Sequence, residues 1–282
     1  MIQKKYYLET NALYSLVNNI DTFVHVLDAA TSLYALEEIV TGIDERQYHK
    51  RKVLLNKIVK SKLKIYPYFP EECLAISFGL DISQLESVKI KKENLLEKVN
   101  LIISNEDYSM YAKKIEGNLG IDLLTEKKLD DENNKDIIIQ LNQFVKKNNI
   151  RIKEKKKIKP RKKRINLQKV FGIENTYSIE KQILIMFLQK YGIDYEDSDI
   201  EDLIQKYDGN QLVAFILGVS LYMWDRSYNM KLVKRNDHLD LLHLLYLKGN
   251  NYVIVSNDKI FNNISFKDMR IKSNDFLKLC KK

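Results

Sequence analysis

The sequence predicts an α/β protein whose sheet domain is interrupted by a large all-helical insertion. Three observations carry this. Short β-prone runs alternate with helical stretches at both ends of the chain. From about residue 82 to 230 the apolar residues recur at three-to-four spacing, the signature of helices. Only 3 Pro and 9 Gly punctuate 282 residues, which favours long helices over loops.

Each element has a local reason. Lys5–Leu8 (KYYL) reads as the first strand, ended by Glu9-Thr10-Asn11, with a helix starting over Ala12–Val17. Phe23–Leu27 (FVHVL) fits a second strand or a helix. Thr31 or Ser32 caps a helix through LYALEEIV to a stop at Gly42. Val53, Leu54, Leu55, Ile58 and Val59 give Arg51–Ser61 a helical face. Lys64–Tyr66 is a short strand halted by Pro67. Pro70 suits the first turn of a helix that runs to Phe78 and is closed by Gly79.

Helices follow over Ser83–Ile103, Asn134–Lys147, Ser178–Tyr191, Asp199–Tyr207 and Gln211–Tyr228, with a loop at Asp131–Lys135. Asn236–Gly249 is a leucine-rich helix. Tyr252–Val255 (YVIV), apolar throughout, is a buried parallel strand. Met269–Ile271 and Asn274–Leu279 close the chain as a strand and a helix.

The charge is unevenly spread. The chain carries 47 Lys and Arg against 38 Asp and Glu, a net charge of +9. The stretch 151–164 (RIKEKKKIKPRKKR) holds ten basic residues and one acidic one, so the rest of the chain balances to zero. A uniformly basic coat protein is excluded; a neutral body with one cationic arm remains. Within the arm, Lys155, Lys156, Lys157, Arg161, Lys162, Lys163 and Arg164 are the candidate phosphate contacts. It has no aromatic residue, so such binding would lack sequence preference. Hydrophobic content of 45%, with 17 Tyr and 10 Phe, suffices for a packed core and excludes a disordered chain. Cys73 and Cys280 belong to no C-x-x-C pair, which points to a reducing compartment without structural zinc. No apolar run is long enough to span a bilayer, and Glu9 interrupts what would be a signal peptide. The expectation is a cytoplasmic protein with no membrane contact.

Acidic residues fall at telling places. Glu9 and Asp258 each follow a strand, and sites in open parallel sheets form outside those carboxyl ends. Glu38 lies in a helix and Asp240 near the start of another. Four carboxylates converging on one sheet edge would repel one another and would call for a hard cation, Mg²⁺ or Mn²⁺.

The motifs around these acids resemble those of the PIN-domain nucleases. The first is an apolar strand, an acid, Thr or Ser, Asn and a helix, here YYLETNALYSL. The second is Glu38-Ile39-Val40-Thr41-Gly42, preceded by SLYALE. The third and fourth are Asp240-LLHLLYLKGNNYVIV-Ser256-Asn257-Asp258, with the two acids 18 positions apart. MRIKSNDFLKL is similar to the family's closing strand and helix. The resemblance covers residues 1–80 and 232–282. Two features depart from the pattern: Glu9 stands where Asp is usual, and the segment between the second and third acids is long.

The resemblance implies a three-layer α/β/α sandwich with a central parallel sheet, formed by 1–81 and 231–282, with 82–230 as the insertion carrying the arm. It implies that Glu9, Glu38, Asp240 and Asp258 hold Mg²⁺ or Mn²⁺ and hydrolyse RNA, leaving a 5′-phosphate and a 3′-hydroxyl. Asn11 and Ser256 would orient those carboxylates or the phosphate, and Asp237 would cap its helix or assist as a ligand. A toxin or phage-defence effector held silent by a protein inhibitor or antitoxin is the implied context. DNA is the less favoured substrate, a nucleic-acid-binding module with a weakened metal site is the alternative, and homo-oligomerisation is left open. His238 and His243, flanking Asp240, are assigned to packing rather than catalysis. Trp224, Tyr222, Tyr228 and Arg226 are read as core in preference to a base-stacking platform.

Overall fold

The computed structural model describes residues 3–123, a scatter of positions between 125 and 147, and residues 177–207, 209–234, 236–249, 251–262 and 269–280. The basic arm 151–164 lies outside the described residues.

Five parallel strands form one sheet in the order β3-β2-β1-β4-β5. They are β1 (Lys5–Leu8), β2 (Ala29–Ser32), β3 (Lys64–Tyr66), β4 (Tyr252–Val255) and β5 (Arg270–Ile271). β1 is central, with Tyr6 opposite Ala29 on one side and Leu8 opposite Val255 on the other. All four residues of β2, and Val253–Val255 of β4, are buried, as a parallel sheet covered on both faces requires.

Successive side chains of β1 point to opposite faces. Tyr6 meets Phe276 edge-on at 5.2 Å between ring centroids, and Phe276 meets Phe23 at 5.1 Å. Tyr7 instead stacks on Tyr246 at 5.0 Å. Two helical groups therefore flank the sheet. One contains α1 (Thr10–Leu16), α2 (Ile20–Phe23), α3 (Leu33–Val40), α4 (Glu45–Lys60) and the closing helix Ser273–Leu279. The other contains α5 (Pro70–Ser77), the long helix Gly209–Asn229, the short helix Asp237–Leu242 and its 3₁₀ continuation His243–Tyr246. Right-handed crossovers send the connections on opposite faces when the direction of travel along the sheet reverses, which accounts for the split. The arrangement is compatible with three layers.

The helices of the 82–230 stretch pack onto this body. α6 (Glu86–Ser104) sends Lys91 to Glu37 of α3 at 3.0 Å and Lys92 to Glu72 of α5 at 2.8 Å. α7 (Tyr108–Leu119) packs on α4 and α6. α8 (Tyr177–Lys190) packs on α5 and on α9 (Asp197–Lys206). The helix Gly209–Asn229 is then α10, Asp237–Leu242 is α11 and Ser273–Leu279 is α12. Among the described residues no helix is long and apolar enough to cross a membrane. Cys73 and Cys280 are free thiols.

Three expectations are corrected. FVHVL is not a strand: Phe23 ends α2, Val26 is exposed, and the second strand is the small-residue run Ala29–Ser32 that follows. Glu132, expected in a loop, is helical, while Lys135, where the expected loop and the expected helix overlap, is helical too. Asp237 is not the helix cap, a place taken by Asn236. Its carboxylate accepts instead from the Tyr222 hydroxyl and from Arg226 Nη2 at 2.9 Å, fastening α11 to α10.

Asp237→Ala would leave a partly buried guanidinium and a buried hydroxyl without their acceptor. It should lower stability by about 2–4 kcal/mol in urea unfolding. A loss below about 0.5 kcal/mol would show that the pair does not fasten α11.

Candidate active site

The sheet order places a switch point at β1 and β4. The chain leaves β1 toward β2 on one side, and β4 leads to β5 on the other, so the loops after these adjacent strands diverge, the place where open α/β sheets form their crevice. Glu9 follows β1; Ser256, Asn257 and Asp258 follow β4.

Glu9 is only 2% exposed. It caps α1, its Oε2 accepting from the amide of Asn11 at 2.6 Å and its Oε1 from that of Ala12 at 3.0 Å. Burial raises its pKa above the ordinary range. His243, the Asn11 amide and a hydrogen bond from Ser256 counter this, while Glu38 adds to it. Ser256 is fully buried and also accepts the amide of Asp258 at 3.0 Å.

Glu38 arrives on α3. The cap of that helix is Ser32, whose hydroxyl accepts the Ala35 amide at 3.2 Å, and the chain leaves through Gly42 at φ +61°. One oxygen, Oε2, accepts from the Thr10 hydroxyl and from His243 Nε2 at 2.8 Å.

Asp240, on α11, has its pKa pushed up to about 7. Burial is the largest cause, the carboxylates of Asp258, Glu38 and Glu9 add to it, and His243 opposes it. Asp258 is held by its own loop, Oδ1 accepting the Ile260 amide at 2.9 Å. Asn257 anchors that loop to α12 by a reciprocal pair with Ser273, at 2.9 and 3.1 Å.

The four predicted acids thus lie in one electrostatic neighbourhood. Of the predicted orienting residues, Ser256 touches Glu9 directly. Asn11 does so only through its backbone, its side chain being exposed. Asp237 is engaged by Tyr222 and Arg226, as described above. Trp224 stacks on Tyr228 at 5.0 Å, while Arg226 lies over Tyr222.

Four contributors carried no assigned role at the site in the sequence. Thr10 sits inside the first motif but its bond to Glu38 crosses 28 positions. His243 is buried, as expected of a packing residue, yet it reaches Glu38 across 205 positions. Its place one helical turn after Asp240 is the only signal the sequence offers. Tyr7 bonds His243 Nδ1 at 2.6 Å. Arg270 of β5 donates to the Ser256 carbonyl from Nε at 3.3 Å and Nη2 at 3.0 Å. Burial lowers the Arg270 pKa, while Asp258 and Glu9 hold it up.

The donor chemistry is all-oxygen and under-compensated, which fits a hard divalent cation. Among the described residues, however, no group of three or more His, Cys, Asp or Glu side chains is gathered closely enough to hold one. The chain matches no protein-family model, and neither a curated protein nor a solved structure matches it.

Folding raises the proton affinity of Glu9 and Asp240. It also raises that of His243, because Glu38, Glu9 and Asp240 together outweigh the opposing effect of burial. Through these three groups the fold binds more protons than the unfolded chain, so their contribution to stability falls as pH rises. The Asp240 share is lost between its unfolded value near 4 and about 7, and the His243 share above about 6.5. Without divalent cations, Asp240→Asn should flatten this slope and raise stability at pH 8 by roughly 1–3 kcal/mol in urea unfolding. Equal slopes for mutant and wild type would contradict the raised pKa of Asp240.

Proposed function

We propose that the chain is a divalent-cation-dependent nuclease of the PIN kind that hydrolyses RNA phosphodiester bonds. The observation that supports this best is the electrostatic neighbourhood that Glu9, Glu38, Asp240 and Asp258, from four segments, share beyond the ends of β1 and β4. Glu9, Glu38, Asp240 and Asp258 would hold Mg²⁺ or Mn²⁺. A bound ion supplies charge neutralisation at the phosphate and an acidified water as nucleophile.

The chain's own residues prepare the rest. The amides of Asn11 and Ala12, with Ser256, fix Glu9 in place. Thr10 and His243 fix Glu38. Asp240, its pKa raised to about 7, shares its proton with solvent near neutrality and would lose it to a bound cation. The arm 151–164 supplies the attraction that an acidic crevice cannot offer a polyanion. A toxin or defence effector restrained by a protein inhibitor is the setting that the PIN resemblance favours.

A second reading, a nucleic-acid-binding module, draws support from the absence of a ready ligand group among the described residues.

Asp240→Asn and Asp258→Asn should each reduce Mn²⁺-dependent RNA cleavage at least about 100-fold while leaving the fold intact. Asn at 258 keeps an oxygen for the Ile260 amide, so loss of activity would reflect loss of charge. Undiminished cleavage by both variants would overturn the assignment. Deleting 151–164 should flatten the salt dependence of RNA binding; an unchanged slope would remove the arm from the account.

A further inference from the structure

A polar chain is buried against the sheet behind Glu38. The Ala35 amide donates to Ser32 Oγ at 3.2 Å, Ser32 Oγ lies 2.9 Å from the Tyr7 hydroxyl, and that hydroxyl lies 2.6 Å from His243 Nδ1. His243 Nε2 then meets Glu38 Oε2 at 2.8 Å. Ser32, Tyr7 and His243 are all fully buried.

The chemistry of the end group sets the polarity of the chain. A carboxylate only accepts, so Nε2 must carry a proton. Tyr7 can donate to a bare Nδ1 or accept from a protonated one, with Ser32 adjusting behind it, so Nε2–H faces Glu38 in both charge states. The imidazole plane is held as well, between Tyr7 at 5.7 Å and Tyr34 at 4.9 Å between ring centroids. Tyr34 is itself tied to the Leu239 carbonyl at 3.1 Å. Thr10 donates to the same Oε2, so both bonds fall on one oxygen.

We propose that His243 is a positioning residue for Glu38. The Ser32–Tyr7–His243 chain pins Oε2 and presents Oε1 as the oxygen that binds the divalent cation. This rests on the reading of Glu38 as a metal ligand. Partners that orient a metal ligand typically contribute 10–100-fold to metal affinity.

The test is a Mn²⁺ titration by calorimetry on the wild type, His243→Gln, His243→Leu and Asp240→Asn, joined to nitrogen NMR of the His243 ring in the metal-free wild type. The amide of Gln reaches about as far as Nε2, so His243→Gln should bind within about 3-fold of wild type and His243→Leu about 10–100-fold more weakly. NMR should find the proton on Nε2, and Tyr7→Phe should shift the Nδ1 resonance. Leu binding as tightly as wild type, or Gln binding as weakly as Leu, would overturn the proposal. A bare Nε2 would overturn it even if the Leu variant failed to fold. Wild type that binds no Mn²⁺ would overturn the ligand reading of Glu38 together with this one. Binding lost in Asp240→Asn but kept in His243→Leu would overturn this one alone.

Discussion

Glu9 takes a carboxylate out of water at the end of the central strand, and much of the neighbouring structure answers to it. A buried ion costs several kcal/mol unless its oxygens are hydrogen-bonded. Here the first turn of α1 supplies two amides and Ser256 supplies a hydroxyl, so satisfying the charge also starts the helix and ties β1 to the end of β4. The remaining constraint is repulsion. Glu38, Asp240 and Asp258 share one electrostatic neighbourhood, and the pKa of Asp240 is raised first by its burial and further by the carboxylates around it.

The two faces of β1 divide the labour. Tyr6 packs on Phe276 and carries the apolar side of the sheet. Tyr7, one residue on, stacks on Tyr246 and sends its hydroxyl into the polar chain behind Glu38. A single strand of four residues thus joins the core, the crevice acid and the support of a second acid.

What was legible in the sequence follows from range. KYYL and YVIV declare themselves as strands because their patterns are local, and both are found with the expected bounds. The strand-end positions of Glu9 and Asp258 were legible because Glu9 directly follows the first run and Asp258 stands three residues after the second. The second strand was hidden: Ala-Ala-Thr-Ser has weak intrinsic strand preference and is buried only because neighbours cover both faces, while the nearby FVHVL has strand-like composition with no sheet to join. The bonds of Thr10 and His243 to Glu38 span 28 and 205 positions, a distance over which no periodicity carries information. Asp237 was misread because its charge suits a cap, whereas tertiary pairing with Arg226 claimed it.

The charge distribution links the body to its function. Net charge outside 151–164 is zero, while four acids share one electrostatic neighbourhood, so under the proposed reading substrate attraction and catalysis would fall to different parts of the chain. The most direct measurement of this account is incubation of the purified protein with transfer RNA, ribosomal RNA and single-stranded DNA, in Mn²⁺ and in EDTA. Cleavage of RNA in Mn²⁺ that EDTA abolishes is the predicted result. Intact RNA in Mn²⁺, or cleavage that persists in EDTA, would contradict it.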